Sequence, residues 1–200
     1  MVRLTIDNLY NCRENNFYRL CKKWDTKIIK NKIKELFNKK INVIDLGTGS
    51  GCIAISLKNN LDANVTALDI SKDALDLAKK NAKLNNAEIT FINNSMTEDL
   101  QNNYDIIISN PPYIPYDGFV EEKVKKTEPN IALFADNNGL YFYEEILNKH
   151  LFHLNSPGLI AFEIGDNQKE LLEELVSKLN LKYSFENDLQ GLPRYLFIFK

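Results

Sequence analysis

The 200-residue chain is short of what several function classes require. Its three cysteines, Cys12, Cys21 and Cys52, are odd in number, and no pair has zinc-ligand spacing. A zinc module is therefore not indicated, and reduced thiols in an intracellular protein are expected. The two histidines, His150 and His153, have no carboxylate or cysteine cluster to complete a metal site, so a helix-end role is expected and no metal. Positive charge is not in excess: 25 Lys and Arg stand against 27 Asp and Glu, with a net charge of -2 and a pI of about 5.8. A protein that grips a long nucleic acid through its phosphates normally carries a basic surface, so the balance weighs against that class. No apolar run approaches the roughly 20 residues of a membrane helix, and residues 1–10 hold no secretory-type stretch. The sequence thus reads as cytoplasmic, with no membrane partner. The one tryptophan, Trp24, reads as packing, and the lysine runs at 30–40 and 123–126 as solvated faces.

What is present is an alternation of strand and helix patterns in a length suited to one domain. Residues 1–40 read as a short helical segment, with Ile28, Ile29, Ile33, Leu36 and Phe37 on one face. Strands are predicted at Ile41–Leu46, Asn64–Asp69, Glu88–Ile92, Tyr104–Ser109 and Gly158–Ile164, their apolar centres implying burial on both faces. Helices are predicted after Gly51, over Lys72–Leu84 with Ser71 as N-cap, over Gly139–Leu154 and over Gln168–Leu179. Leu181–Glu186 and Arg194–Phe199, joined by a turn with Gly191 and Pro193, read as an antiparallel hairpin. Residues 110–137 read as a long loop with some helical turns, and so long a connection in a compact domain is usually functional. The expected fold is α/β: a Rossmann-like, mostly parallel sheet over 41–200 closed by the hairpin. A terminal hairpin after five strand–helix units is characteristic of class I methyltransferases rather than of a plain dinucleotide-binding domain.

The segment Asp45-Leu46-Gly47-Thr48-Gly49-Ser50-Gly51 lies between the first strand and a helix. Its glycines permit a sharp turn and close approach of a ligand, and the helix N-terminus favours a negative group such as the carboxylate of S-adenosylmethionine. The lysine of a phosphate-binding P-loop is missing, because Cys52 and Ile53 follow Gly51. Asp69 ends the second strand, where a carboxylate can accept hydrogen bonds from both ribose hydroxyls. NAD sites share these features, so the pair alone does not select the ligand. Asp45 has two open roles: binding a ligand's ammonium group, or capping the loop's own N–H groups.

Asn110-Pro111-Pro112-Tyr113 follows the fourth strand at the carboxyl edge, where α/β sites form. An amide or aromatic-amine nitrogen is a poor nucleophile because its lone pair is delocalised. Two acceptors on its hydrogens, the Asn110 side-chain oxygen and the Pro111 carbonyl, shift density back to it. The prolines stiffen the backbone, and Tyr113 offers a flat face to a planar group.

With these motifs the chain resembles the HemK-type family of protein-glutamine methyltransferases that modify peptide chain release factors. The resemblance runs over roughly residues 25–200, through VIDLGTGSGCIAISL (43–57), ALDISKDALDLAKKNA (67–82), YDIIISNPPYIP (104–115), EPNIALFADNNGLYFYEEIL (128–147), LIAFEIGDNQ (159–168) and NDLQGLPRYLF (187–197). It implies methylation of the glutamine amide in a Gly-Gly-Gln loop. Catalysis would fall to Asn110, Pro111, Pro112 and Tyr113, and S-adenosylmethionine to Asp45, Gly47, Thr48, Gly49, Gly51, Asp69, Ile70, Ser95, Met96 and Asn110. Family members commonly have an acid near the adenine after the third strand; here Ser95 takes that place, with Met96 to pack on the ring. They also commonly carry an N-terminal helical domain and a Pro-Arg-Pro-Glu-Thr stretch. About 40 residues precede the first strand here, and Lys23-Trp24-Asp25-Thr26 stands where that stretch would be. NPPY also occurs in adenine-specific DNA and RNA methyltransferases, so a nucleic-acid amine is the alternative acceptor. A non-catalytic cofactor-binding remnant is the third reading. Glu163, Gln168 and the Glu128-Pro129 pair are assigned structural or lid-shaping roles.

Overall fold

The structure is a computed structural model that describes residues 26–118 and 129–200. The expectations for Cys12, Cys21, Trp24, Lys123–Lys126 and Glu128 lie outside these residues.

Seven strands form one sheet: β1 Ile41–Leu46, β2 Ala63–Asp69, β3 Ile89–Asn93, β4 Tyr104–Ser109, β5 Leu154–Glu163, β6 Lys182–Asn187 and β7 Pro193–Phe199. Their order is β3-β2-β1-β4-β5-β7-β6. The first five are parallel, and β7 runs antiparallel to both β5 and β6. The helices are α1 Thr26–Leu36, α2 Cys52–Asn60, α3 Lys72–Leu84, α4 Tyr141–His150 and α5 Lys169–Ser177.

Side chains alternate faces along a strand, and both faces of the central strands are covered. Ile44, Ile107, Ile160, Phe162, Leu196 and Ile198 point to the side occupied by Tyr143, Ile146 and Leu147 of α4 and Leu172 and Val176 of α5. Val43, Ile106, Ile108, Leu159, Ala161 and Phe197 point to the other, against Ile29 and Ile33 of α1 and Ile53, Ala54 and Leu57 of α2. Five residues of β1 and all six of β4 are buried. β3 departs from the expectation of two buried faces: it is the sheet edge and none of its residues is fully buried. Ser71 caps α3 as expected, its hydroxyl accepting the Ala74 N–H at 3.2 Å.

Two boundaries differ from the sequence reading by more than two residues. The helix predicted to reach Leu154 ends at His150 and passes through a short 3-10 turn, Leu151–His153. β5 then begins at Leu154 rather than Gly158. Leu154 pairs with Tyr104 and the register shifts before Leu159 pairs with Ile106, so an irregular stretch joins two paired parts.

The strand order reverses between β1 and β4, whose carboxyl ends sit side by side with Leu46 opposite Ser109. Crevices at such a switch point are where open α/β sheets bind ligands.

Candidate active site

Two loops leave the sheet at this crevice. The first runs from Gly47 to Gly51 and is held by its own surroundings. The N–H groups of Gly47 and Thr48 donate to the Leu68 carbonyl at 2.8 and 2.9 Å, and that of Gly51 to the Thr48 carbonyl at 3.0 Å. The Gly49 N–H donates to Asp69 Oδ2 at 2.8 Å, and Asn81 of α3 donates to the Ser50 carbonyl at 2.9 Å. Four of the loop's N–H groups are thus consumed in shaping the turn. At Gly47, with φ at 72°, a Cβ would come within 2.5 Å of Met96 Cε. Glycine thus serves both the left-handed backbone and the approach of the Met96 side chain.

Asp45 lies under this loop, fully buried. Its Oδ2 accepts the Thr48 hydroxyl at 2.7 Å and the Ala54 N–H at 3.2 Å, so it ties a loop side chain to the first turn of α2 rather than capping the loop's own N–H groups. Its Oδ1 is buried and has no hydrogen-bond partner among the described residues. Burial pushes the Asp45 carboxyl up to about 7, against the lowering effect of those two bonds. Asp69, at the end of β2, accepts the Ser71 N–H on Oδ1 at 2.9 Å in addition to Gly49 on Oδ2. Each of its oxygens keeps a second acceptor position. Beside it, Ile70 is 54% exposed, an apolar surface next to the acid.

The turn after β3 closes this half of the crevice. The Ser95 hydroxyl is 2.8 Å from the Thr97 hydroxyl and accepts the Thr97 N–H at 3.2 Å, so its first role is to shape the turn. Met96 packs against the core cluster on the α4 and α5 side of the sheet, and its carbonyl accepts the Nε2–H of the buried His150 at 2.7 Å. Cys52 stands at the start of α2, and the other two cysteines lie outside the described residues.

The second loop is Asn110-Pro111-Pro112-Tyr113. Ser109, just before it, is buried and donates its hydroxyl to the Leu46 carbonyl at 2.7 Å. The residue ahead of Asn110 is thereby bonded to the residue ahead of Gly47. Pro111 and Pro112 are buried, while Asn110 and Tyr113 are half-buried. The Tyr113 ring packs toward Gly165, where a Cβ would lie 2.8 Å from its Cδ2. Beyond the turn, Ile114 bridges to Phe134: its N–H donates to Leu133 and its carbonyl accepts from Ala135, at 3.0 and 2.9 Å. Tyr116 stacks on Phe134 at 5.4 Å between centroids. The long connection is thus closed at its base, with 3-10 turns at Asn130–Ala132 and Asn137–Gly139.

Sequence reasoning missed Ser109, Asn81 and Ala54, which act through hydroxyl, amide and backbone bonds to neighbouring segments. Gln168 it placed as structural, and four hydrogen bonds bear that out. Among the described residues no group of three His, Cys, Asp or Glu side chains could hold a metal ion, and no helix is long and apolar enough to cross a membrane.

A sheet of order 3-2-1-4-5-7-6 with an antiparallel seventh strand, carrying a glycine loop on β1, an acid on β2 and an Asn-Pro-Pro-Tyr turn on β4, defines the class I methyltransferase fold. Comparison with known proteins agrees. The family model of the methyltransferase small domain matches residues 25–127. A release factor glutamine methyltransferase of Flavobacterium psychrophilum is 42% identical over 176 residues, 84% of this chain and 62% of that protein. One of Lactococcus lactis is 39% identical over 161 residues, 78% of this chain and 60% of the relative. The crystal structure of a ribosomal protein L11 methylase from Lactobacillus delbrueckii superposes with a TM-score of 0.64 at 22% identity, covering 86% of this chain and 77% of that one. The chain belongs to the methyltransferase small domain family. It spans about three-fifths of the length of these curated relatives.

Proposed function

We propose that this chain is an S-adenosylmethionine-dependent methyltransferase whose acceptor is the side-chain amide nitrogen of the glutamine in a release factor's Gly-Gly-Gln loop. A cytoplasmic setting goes with that reading, as does a division into a helical segment, 1–40, and a catalytic domain, 41–200. The observation that carries it is the Ser109–Leu46 bond, which sets the Asn-Pro-Pro-Tyr turn beside the glycine loop at adjoining strand ends. The names of the relatives support the substrate class.

The residues present fit the cofactor. Asp45 Oδ1 is a buried acceptor with no partner among the described residues, suited to the ammonium of an amino-acid group. Asp69 has acceptor capacity for two ribose hydroxyls, and Ile70 and Met96 supply apolar surface for adenine, with Ser95 at its edge. A Cβ at Gly49 would meet nothing within 4 Å, so the loop is open to the cofactor there, while Gly47, Thr48 and Gly51 shape the turn around it. When bound, S-adenosylmethionine supplies an electrophilic methyl group.

The protein's own contribution is placement. Asn110 Oδ1 and the Pro111 carbonyl accept the two amide hydrogens, which holds the nitrogen in line and draws electron density onto it. Pro112 keeps that backbone from relaxing, and Tyr113 presents its ring to the planar amide. Such positioning supplies much of the rate without a strong base. The nitrogen is acidic once methylated and then yields its proton to water.

The test offers the protein labelled cofactor with a release factor, DNA and RNA in one competition, then maps the label by fragmentation mass spectrometry. Label on the glutamine of Gly-Gly-Gln is expected. Label confined to nucleic acid contradicts the substrate, and cofactor binding without transfer to any acceptor contradicts the activity.

A further inference from the structure

The carboxamide of Gln168 is where three separate backbone segments meet. Gln168 is the N-cap residue of α5, yet its side chain makes no capping bond to that helix. It is 5% exposed and turns inward. Its Nε2 donates to the Tyr113 carbonyl at 3.1 Å and to the Gly139 carbonyl at 3.3 Å. Its Oε1 accepts the Gly165 N–H at 2.8 Å and, at 3.4 Å, a share of the Tyr143 hydroxyl hydrogen that bonds the Glu163 carbonyl at 2.9 Å. Both amide hydrogens and both acceptor positions are thus engaged, the last of them weakly. The segments joined are the exit of β4, the turn before α4 and the exit of β5.

The space around the amide is shaped for this contact. Gly139 has a φ of 82°, and a Cβ there would collide with the Tyr113 carbonyl and come within 2.7 Å of Gln168 Nε2. A Cβ at Gly165 would lie 2.8 Å from Gln168 Oε1. Two glycines thus leave room for one glutamine.

The consequence is mechanical. The turn that is to hold the acceptor amide runs from Ser109 to Tyr113. Its first end is fixed to Leu46 by the Ser109 hydroxyl, and its last carbonyl is fixed by Gln168. With proline fixing φ at 111 and 112, the carbonyl of Pro111 and the side chain of Asn110 sit on a short span between two tethers.

We propose that Gln168 is a positioning residue for methyl transfer: by holding the Tyr113 carbonyl from behind, it sets where Asn110 and Pro111 present their acceptors. This rests on the functional reading above. Gln168 touches neither Asp45 nor Asp69 through any hydrogen bond, so its effect falls on the acceptor side and leaves cofactor binding alone.

Two near-isosteric variants of the full chain test this. Q168M removes all four bonds while filling the same volume. Q168E keeps the acceptors but turns an oxygen toward two carbonyls that need a donor. Cofactor affinity by titration calorimetry, and kcat and KM with the acceptor that the parent methylates, are measured for each. A displacement near 1 Å can cost about 100-fold in rate. The expected result is cofactor Kd within twofold of the parent, kcat reduced about tenfold in Q168M and about 100-fold in Q168E. Equal losses in the two variants, a kcat within threefold of the parent in both, or a Kd that weakens in step with kcat each overturn the positioning role. A parent that methylates no acceptor sinks the underlying reading, and the positioning role with it; an active parent with unaffected variants sinks the positioning role alone.

Discussion

The two loops of the crevice are built on opposite plans. The glycine loop is stabilised mainly from nearby: its N–H groups reach Leu68, Thr48 and Asp69, and the acid beneath it bonds Thr48 and Ala54. The Asn-Pro-Pro-Tyr turn is stabilised from afar, by Leu46 at one end and by Gln168 at the other, 63 and 55 positions away. The first can be shaped by one strand–turn–helix unit and its neighbour. The second takes shape only when β5 and α5 have joined the sheet. A donor pocket and an acceptor turn that depend on different parts of the chain should fail separately, and variants can make them do so.

The largest separation is expected from Asn110→Ala. Under the proposed function this removes one of two acceptors on the reacting amide and should lower kcat by about 100- to 1,000-fold, the scale seen when a preorganised hydrogen-bonding group is lost. Cofactor affinity, read by calorimetry, should change little. A parallel loss of both would mean that the two loops are one unit.

Asp45 gives the converse. In the ligand-free protein its carboxyl, raised to about 7, takes up a proton as pH falls through neutrality. Under the proposed function a cofactor ammonium binds the carboxylate form, so affinity should be roughly tenfold weaker at pH 6 than at pH 7.5. Asp45→Asn should bind weakly and lose this dependence, while an acceptor-side variant such as Asn110→Ala should keep it.

The same residue carries a stability effect of opposite sign. Its folded-state carboxyl is raised above the unfolded one, so the stability it contributes is lost as pH rises from about 4 through about 7. Three pH units correspond to roughly 4 kcal/mol as an upper scale. Ligand-free Asp45→Asn should therefore melt higher than the parent at pH 8, and the gap should close toward pH 4. A parent that melts higher at every pH would show that the carboxylate is not held at a cost for its ligand.

The smallest effect is expected from Ser109→Ala, which removes the bond between the two loops. One buried hydrogen bond contributes about 1 kcal/mol, and the unfolding midpoint in urea reads it directly. A modest fall in kcat with unchanged cofactor affinity would place this bond with the acceptor turn; a weakened affinity would place it with the donor pocket.

This contrast also explains what was legible in the sequence. β1, α2, α3 and β4 match their predicted bounds because local pattern fixes them: apolar β-branched runs, the glycines at 47, 49 and 51, and Ser71 at the N-cap. Asp45, Asp69 and the Asn-Pro-Pro-Tyr turn could be named because each borders such an element. The start of β5 was missed because Pro157 and Gly158 resemble a break, while pairing of Leu154 with Tyr104 carries the strand past them. The positioning part of Gln168 was not legible for a related reason. Its partners, Tyr113, Gly139 and Gly165, are brought together by tertiary packing, and nothing in a helix-start glutamine announces them. The internal satisfaction of the glycine loop's N–H groups was likewise invisible, since the Leu68 carbonyl reaches them only across the β1–β2 pairing.

The central claim is that Asn110 and Pro111 hold an amide nitrogen beside the bound methyl donor. A crystal structure of the protein with S-adenosylhomocysteine and a Gly-Gly-Gln peptide tests it most directly. The account predicts the glutamine amide within hydrogen-bonding distance of both Asn110 Oδ1 and the Pro111 carbonyl, its nitrogen facing the sulfur. A glutamine bound elsewhere, or an Asn110 side chain turned away from it in that complex, would contradict the account.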